Sequence, residues 1–352
     1  MRPITKITVG ATLVAGVAAL AMASASAQQN WSMATSWGGG PVLELSAKGA
    51  AKNIELVTGG KLKIQVFPGG TLGSPLKVTE TVRNGVAEAG NSWPGYDWGI
   101  DKTTVLFGGF AGSMSAEQTI HWMYHGGGLK LYKDFRMEKF GIVVTPCGLA
   151  PREMGMHSRK KVQTLADFKG LKLRTAGAWA EIAAGLGTST VILPGAEVYP
   201  ALERGVIDAI EWAQLSINKS VGFHKIAKYL IMPGIHQPNA VIECAFNKDA
   251  YGKLSDQTKQ VIEIAAQKTT LDYYHQVGHD DAAAYQFYVE SGNEIIILDD
   301  EVIKKGQELS DAWAEKVSAE QGGWFKKVWD HQKAYRASWA NAYKYRDTPK
   351  PK

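Results

Sequence analysis

The sequence predicts an α/β fold with two lobes around a shared crevice and a long C-terminal helical arm. Helix-like and strand-like segments alternate along the chain, and the apolar alternation of residues 61–67 is typical of a strand. Two distant segments, 81–89 and 201–209, each read as a helix closed by a glycine and followed by a strand that begins with Val. The chain ends in a Trp- and Tyr-rich helical stretch interrupted near 321–323. Such alternation favours α/β domains with largely parallel sheets.

The similarity of the two helix–glycine–strand segments has two explanations. One is coincidence between common units. The other is a pair of similar lobes, each of which sends the carboxyl end of a strand toward one crevice, where ligands bind in open α/β sheets. On the second interpretation the chain divides into a leader at 1–27, a first lobe at 28–150, a second lobe at 151–239, a return segment shared by both lobes at 240–298, and an arm at 299–352.

Composition and charge exclude several classes of protein. The 352 residues are 45% hydrophobic and 21% charged, which is typical of a soluble globular chain and excludes disordered, collagen-like and coiled-coil proteins. The formal net charge is +5, from 39 basic and 34 acidic residues. Since this excess is small, nucleic acid is not expected as a partner.

The first 27 residues have the three parts of a secretory signal peptide. Arg2 and Lys6 form a basic start, residues 7–22 are an apolar run, and residues 25–27 are Ala-Ser-Ala, the small-x-small form of a cleavage site. The alternative is a membrane anchor, but the run is barely long enough to span a bilayer. We therefore expect export to the periplasm and a mature chain that begins near Gln28 with a formal charge of +3, because two basic residues are removed.

Two cysteines remain in the mature chain. Cys147 and Cys244 both lie in apolar, strand-like runs. An exported protein could join them in one disulfide, and two buried free thiols are at least as consistent with this setting.

Catalytic motifs are missing from the sequence. It contains no P-loop, no GxGxxG after a strand, no GxSxG and no HExxH. His121 and His125 lie one helical turn apart, but no carboxylate or cysteine accompanies them, so we expect no metal site there. The sequence therefore predicts a protein that is not an enzyme.

Polar and aromatic residues collect at predicted strand ends. Arg174 ends the strand 171–174, and a guanidinium offers two parallel donors to a carboxylate. These residues could also have no role in binding: Arg174 could be a solvated surface charge, Glu153 a surface acid and Trp212 a core residue. The full set of candidates is Trp93, Tyr96, Trp98, Glu153, Arg174, Trp179, Glu211, Trp212 and Gln237.

These residues occur in motifs that resemble the extracytoplasmic solute receptors of tripartite ATP-independent periplasmic (TRAP) transporters. The motifs are Glu211-Trp212 after 205–209, Arg174 after 171–173, Phe168-Lys169-Gly170, and Asn247-Lys248 before a Leu-Ser helix start. The resemblance covers nearly the whole mature chain. It is nearest to the branch that binds 2-oxo acids, lactate and related monocarboxylates through a metal ion.

This resemblance implies a periplasmic-binding-protein-like fold whose two lobes close on an organic acid and deliver it to membrane permease subunits. It implies that Arg174 clamps the carboxylate of the ligand. It also implies a cation held by the Glu211 side chain, the Trp212 carbonyl and a glutamine. This sequence departs from the family pattern where Glu153 replaces the glutamine before Met-Gly, and where the following pair reads Met156-His157.

The departure at Glu153 bears on the cation. The metal ligands predicted here are Glu153, Glu211, the Trp212 carbonyl and Gln237. The predicted ligand pocket beside Arg174 and Glu153 is lined by Trp93, Tyr96, Trp98, Trp179 and Trp212. Two glutamates, one arginine and a monocarboxylate sum to a charge of −2, which a divalent ion neutralises. Hard oxygen ligands suit calcium, so calcium is favoured, with sodium as the alternative.

The sequence thus predicts a periplasmic solute-binding protein for a small organic acid. The alternative is a secreted metal-assisted hydrolase with the same two-lobed shape, which would need a general base or nucleophile in the crevice. The C-terminal arm packs either on its own chain or on a second subunit, and the second case predicts a homodimer.

Overall fold

The computed structural model describes the backbone of residues 28–346 and the side chains of residues 28–342. The signal peptide predicted at 1–27 lies outside the described residues. Within the described part of the chain, no helix has the length and apolar character needed to cross a membrane.

The strands form two sheets, which we call the first and second lobes. In chain order the strands are β1 (Gln29–Thr35), β2 (Leu62–Phe67), β3 (Ala89–Ser92), β4 (Ile142–Ala150), β5 (Met156–Ser158), β6 (Lys172–Arg174), β7 (Ser189–Val191), β8 (Ala209–Ile210), β9 (Tyr229–Met232), β10 (Ala240–Asn247) and β11 (Glu294–Ile297). The first sheet has the order β2-β1-β3-β10-β4, and the second has the order β11-β9-β5-β8-β6-β7. The predicted α/β class with two lobes is confirmed.

The sheets are mixed rather than largely parallel. β1 runs parallel to β2 and β3, whereas β10 runs antiparallel to β3 and β4. In the second sheet β5 runs antiparallel to β8 and β9. The physical reason is the crossing between lobes: β5 enters the second lobe directly after β4, β10 returns to the first lobe directly after β9, and each arriving strand runs against its neighbours.

Helices cover both sheets. They are α1 (Gly40–Val42), α2 (Gly49–Val57), α3 (Val78–Arg83), α4 (Thr104–Gly108), α5 (Ala116–Tyr124), α6 (Gly128–Phe140), α7 (Trp179–Ile182), α8 (Gly195–Glu203), α9 (Leu215–Val221), α10 (Lys248–Gly252), α11 (Asp256–Glu290), α12 (Asp300–Gln321) and α13 (Gly323–Arg346). A π-helical segment, Leu43–Lys48, joins α1 to α2, and 3₁₀ turns occur at Pro94–Asp97, Leu165–Phe168, Ala183–Leu186 and Phe223–Lys225.

The two similar sequence segments take corresponding positions in the two sheets. Gly85 after α3 and Gly205 after α8 have φ values of 73° and 72°, a left-handed conformation that glycine adopts without strain. The acids that follow also correspond, since Glu88 accepts from the Ser32 N–H and Asp208 accepts from the Lys172 N–H of a neighbouring strand. Each lobe therefore contains one helix–glycine–strand unit, which places Trp93 and Glu211 at strand ends.

A disulfide joins Cys147 of β4 to Cys244 of β10, with the Cα atoms 5.5 Å apart. The sequence was consistent with either a disulfide or two free thiols. The pairing of the two strands brings the cysteines together, so the disulfide forms. β10 and β4 are antiparallel neighbours, so two cysteines 97 residues apart in sequence come side by side.

The C-terminal arm packs on its own chain and contacts both lobes. The Trp313 indole of α12 donates to Glu181 of α7 in the second lobe at 2.7 Å. Gln332 of α13 donates to the Leu106 carbonyl of α4 in the first lobe at 2.6 Å. Trp329 is 2% exposed, so this part of the arm is core rather than free surface.

Candidate ligand-binding and metal site

A cavity of about 450 Å³ lies between the lobes. The first lobe, the second lobe and α11 all contribute to its walls. The lining includes Trp37, Trp93, Tyr96, Glu153, Arg174, Glu211, Trp212, His236, Gln237 and Tyr273. Seven of the nine residues singled out in the sequence therefore reach one cavity.

Arg174 ends β6 and is only 2% exposed. Its Nε and Nη2 donate to the Leu193 carbonyl at 3.3 and 3.0 Å, and its Nη1 donates to the Glu211 carbonyl at 3.1 Å. A guanidinium has five N–H donors, so these three bonds leave two for other groups at the cavity wall. The guanidinium carbon also lies 5.0 Å from the centre of the Trp212 ring. One of the two remaining donors is used in a hydrogen bond with the Tyr96 side chain of the first lobe, so the guanidinium is held from both lobes.

Glu153, Glu211 and His236 form a buried cluster at the cavity wall. The His236 Nε2 atom lies 3.1 Å from Glu153 Oε2 and 3.3 Å from Glu211 Oε2. One ligand atom from each of the three residues lies within 4.8 Å of the other two. The other Glu211 oxygen accepts from the Ala176 N–H at 2.9 Å, which fixes the orientation of that carboxylate.

The pKa values of the cluster follow from burial and from these contacts. Burial disfavours the charged form of His236, but hydrogen bonds to the two carboxylates outweigh it and raise its pKa to about 9. Burial raises the pKa of Glu153 to about 7. Burial also acts on Glu211, yet its hydrogen bond to His236 and the charges of His236 and Arg174 hold its pKa below the usual range.

These charges revise the sum predicted from the sequence. The earlier sum counted the two glutamates and Arg174 but omitted the buried imidazole. With His236 protonated and both glutamates ionised, the side chains of the site sum to zero before a ligand enters. A monocarboxylate then leaves a charge of −1, so the argument from charge no longer demands a divalent ion while His236 carries its proton.

Aromatic rings shape the first-lobe wall. Trp93 and Tyr96 meet edge to face with their centroids 5.3 Å apart, and Trp37 lies 6.3 Å from Tyr96. The Trp93 indole donates to the Gly108 carbonyl at 2.8 Å, which fixes its ring. Burial raises the pKa of Tyr96, so its hydroxyl keeps its proton at neutral pH. This wall therefore offers mostly apolar surface.

A buried ion cluster anchors the turn that carries Tyr96. Asp97 accepts from Arg136 at 2.8 Å and from the Thr79 hydroxyl at 2.6 Å. Arg136 is fully buried and also pairs with Glu243 of β10. The cluster ties the Pro94–Asp97 turn to the strand that returns from the second lobe.

Gln237 and Trp212 reach the cavity in different ways. The Gln237 amide donates to the Gly108 carbonyl of the first lobe at 3.2 Å, and its backbone carbonyl accepts from the Glu153 N–H at 3.1 Å. Trp212 lines the cavity with its ring against Arg174. The metal-ligand roles predicted for both residues stay predictions.

Two predicted pocket residues do not line the cavity. Trp98 packs against the core beside Lys102, whose ammonium lies 5.8 Å from the ring centre. Trp179 is buried, with its ring centroid 6.2 Å from that of His236. His157, which follows Met156 at the departure from the family pattern, is fully buried between Phe223 and other aromatic rings of the second lobe.

Among the aromatic and ionisable residues of the cavity lining, sequence reasoning missed three: Trp37, His236 and Tyr273. His236 is adjacent in sequence to Gln237, which the sequence did predict as a site residue. The same segment could therefore have indicated His236. Trp37 follows the end of β1 and had the same strand-end signal as Trp93. Tyr273 lies in the middle of α11, where its sequence context resembles that of any buried helical tyrosine.

The two serines Ser36 and Ser220 of the described cavity lining are hydrogen-bonded to groups other than a base. Ser36 shares a hydrogen bond of 2.8 Å with Ser92, and Ser220 donates to the Ile217 carbonyl at 2.7 Å. His236 faces two carboxylates rather than either serine. Neither hydroxyl is therefore activated as a nucleophile by a base.

Comparisons with known proteins place this geometry in context. Residues 33–321 match the family DctP, bacterial extracellular solute-binding protein, family 7. A monocarboxylate 2-oxoacid-binding periplasmic protein from Nostoc sp. is 29% identical over 311 residues, covering 87% of this chain and 84% of the relative.

Two solved structures share the fold over most of their length. A TRAP transporter solute binding protein from Bordetella bronchiseptica, a dimer with copurified calcium and picolinate in its active site, superposes with a TM-score of 0.86 and 26% identity, covering 91% of this chain and 95% of the other. A TRAP periplasmic solute binding protein from Pseudoalteromonas atlantica with bound sodium and pyruvate gives a TM-score of 0.85 and 29% identity, covering 90% and 97%.

Proposed function

Because the chain belongs to the bacterial extracellular solute-binding proteins of family 7, we propose that it captures a small organic acid between its lobes and delivers it to the membrane subunits of a TRAP transporter. The membership confirms the resemblance found in the sequence. The observation that carries the proposal is Arg174, a buried guanidinium at the wall of an interlobe cavity, which is held by the Leu193 and Glu211 carbonyls and also hydrogen-bonds Tyr96 of the first lobe.

The cavity supports an acid with an apolar body. Its volume of about 450 Å³ is in the range of about 300–1,000 Å³ that is usual for small-molecule sites. Trp37, Trp93 and Trp212 supply apolar surface around a single guanidinium. We therefore favour monocarboxylates with an aromatic or branched substituent, in addition to small 2-oxo or 2-hydroxy acids.

Capture works through closure of the lobes. Arg174 belongs to the second lobe and Tyr96 to the first, so an acid bound at Arg174 and packed on Tyr96 contacts both. A ligand that binds the closed form more tightly than the open form shifts the population toward closure. No covalent bond needs to form or break.

A metal ion fits the oxygen donors of the cavity. The Glu153 and Glu211 side chains, the Trp212 carbonyl and Gln237 would hold it, and hard oxygen donors of this kind suit calcium or sodium. The ion would supply positive charge opposite the ligand carboxylate. The B. bronchiseptica and P. atlantica proteins hold calcium and sodium respectively, which supports the same assignment here.

Location and assembly follow from the same proposal. The Nostoc relative is named a periplasmic protein, which supports export and removal of residues 1–27. We propose permease subunits as the membrane partner. A homodimer stays a prediction, supported by the dimeric B. bronchiseptica protein; a monomer mass by light scattering at micromolar concentration would refute it.

The alternative of a metal-assisted hydrolase has less support. Ser36 and Ser220 are bonded to groups other than a base, and His236 is engaged with two glutamates. Turnover of ester or amide derivatives of any acid that binds would be needed to revive it.

A thermal-shift screen tests the proposed function. The protein is purified from the periplasm and melted with pyruvate, lactate, phenylpyruvate and 4-methyl-2-oxopentanoate, each in calcium, in sodium and after chelation. A ligand at 100 times its Kd stabilises the native state by about 2.7 kcal/mol and should raise Tm by several degrees. Matched neutral amides of the acids serve as controls. If no acid raises Tm under any ionic condition, the proposal fails.

A further inference from the structure

The two lobes touch each other directly where the Trp93 ring meets Gly177. Trp93 follows β3 in the first lobe, and Gly177 follows β6 in the second. A Cβ at Gly177 would lie 2.6 Å from Cη2 of Trp93, at the outer edge of the indole. Carbon atoms that are not bonded to each other pack at about 3.5–4.0 Å. This approach of the two lobes therefore requires glycine at position 177.

We propose that Gly177 is a positioning residue for closure: because it has no side chain, the second lobe can seat on Trp93, and this contact sets how completely the lobes close around the ligand. The inference rests on the proposed function, since closure is the means by which the acid is captured. It goes beyond that proposal by naming a residue outside the described cavity lining that controls affinity through Trp93.

The Trp93 ring has no space to retreat from the second lobe. Its Nε1 donates to the Gly108 carbonyl at 2.8 Å, and its ring meets that of Tyr96 edge to face at 5.3 Å between centroids. Its outer edge lies directly on its own backbone turn, since a Cβ at Gly95 would be 2.2 Å from Cη2. A side chain added at Gly177 must therefore displace the second lobe rather than the ring.

The segment that carries Gly177 also carries the group that binds the carboxylate. Arg174 lies three residues earlier, and the Ala176 N–H between them donates to the Glu211 carboxylate at 2.9 Å. These residues are therefore fixed to the second lobe and move with it. Across the cleft Arg174 hydrogen-bonds Tyr96 of the first lobe. A second lobe held off at Gly177 keeps Arg174 away from Tyr96, so a bound acid contacts both lobes less completely.

The backbone at Gly177 calls for a matched control. Its φ is 60°, in the left-handed region, so a substitution there strains the chain even without a contact. Gly170 lies in the same lobe with a φ of 72°, and a Cβ there would meet no atom within 4 Å. Gly170→Ala therefore reproduces the backbone strain of Gly177→Ala without the contact to Trp93.

Calorimetry on the whole mature protein tests the inference. Wild type, Gly177→Ala, Gly170→Ala, Trp93→Phe and the double variant Trp93→Phe/Gly177→Ala are titrated with the four acids of the thermal-shift screen in calcium and in sodium. Trp93→Phe removes the outer edge of the indole. Circular dichroism and the melting temperature without ligand check folding. Gly177→Asn and Gly170→Asn form a second pair, because Asn adopts left-handed conformations more readily than alanine.

The expected result is a loss of affinity that depends on Trp93. Gly177→Ala should raise the Kd of every acid that binds by at least about fivefold, the effect of an overpacked contact, whereas Gly170→Ala should stay within about twofold of wild type. In the Trp93→Phe background the same change at Gly177 should alter Kd by less than about twofold, because the atom that it meets is gone. At saturating acid the radius of gyration of Gly177→Ala should stay closer to that of the ligand-free protein.

The closure inference and the proposed function can be told apart. If an acid binds wild type and Gly177→Ala binds it equally well, or loses as much affinity in the Trp93→Phe background, or no more than Gly170→Ala, only the closure inference fails. The same holds when the asparagine pair replaces the alanine pair. If no acid of the screen binds wild type under any ionic condition, the proposed function fails and this inference fails with it.

Discussion

Replacement of Arg174 by lysine isolates the geometry of the guanidinium from its charge. In the structure, three of the five N–H donors bind the Leu193 and Glu211 carbonyls, and Trp212 lies against the guanidinium plane. A lysine ammonium has three donors at one nitrogen. It therefore cannot reach both carbonyls and also present two parallel donors to a carboxylate.

The expected loss follows from the bonds removed. A hydrogen bond to a charged group contributes about 1.5–3 kcal/mol, and Arg174 is only 2% exposed, so bulk solvent screens it little. Loss of one ligand bond therefore weakens the affinity for a carboxylate by about 10- to 150-fold. Because the positive charge is kept, Glu211 is not left unpaired, and the variant should fold.

Calorimetry with the acid that gives the largest thermal shift measures this loss. Arg204→Lys is the matched control, since Arg204 is exposed on the second lobe and should leave Kd unchanged. Tryptophan fluorescence gives a second readout through Trp212. A folded Arg174→Lys protein whose Kd stays within about twofold of wild type would refute the clamp.

Three further predictions concern stability. Arg136→Leu leaves the buried Glu243 carboxylate without its partner and should lower the free energy of unfolding by about 3–5 kcal/mol in urea titrations. Burial lowers the pKa of His157 from its usual 6.5 to about 3, so between these pH values the unfolded chain binds a proton that the folded chain does not. The contribution of His157 to the free energy of unfolding should therefore be complete above pH 6.5. It should fall, by up to a few kcal/mol, as the pH decreases toward 3. Reduction of the bridge between Cys147 and Cys244, which are 97 residues apart, should cost about 2–5 kcal/mol in unfolding titrations with and without reductant.

Each of these has a contradicting outcome. For Arg136→Leu it is an unfolding free energy within about 1 kcal/mol of wild type. For His157 the control is His157→Phe, which should remove this part of the pH dependence; identical pH profiles for the two proteins would show that His157 is not its source. For the bridge it is equal stability of the oxidised and reduced proteins.

Local sequence patterns predicted the elements of the fold well. The alternation in 61–67 became β2, and the strand predicted at 171–174 became β6, which ends at Arg174 as predicted. The glycines at 85 and 205 close α3 and α8 as predicted. These features depend on periodicity, capping and left-handed glycines, which are properties of a few neighbouring residues, and sequence shows such properties directly.

Which of the predicted residues line the cavity depends on how the two lobes pack together. The sequence indicated strand ends that could meet, and Trp93, Arg174 and Glu211 do line one cavity. Trp98 belongs to the same short segment as Trp93, and a 3₁₀ turn separates the two, yet Trp98 packs against the core instead of lining the cavity. Neither its neighbours nor its residue type distinguishes the two tryptophans.

What the sequence determined is therefore the kind of elements, their order, and the ends at which polar residues emerge. Tertiary structure alone decided that Cys147 meets Cys244, that the arm lies on both lobes, and that His236 stands between Glu153 and Glu211. The physical reason is that these contacts join residues tens to more than a hundred positions apart. Their distances are set by strand pairing and lobe packing, on which the residues near each of them carry no local signal.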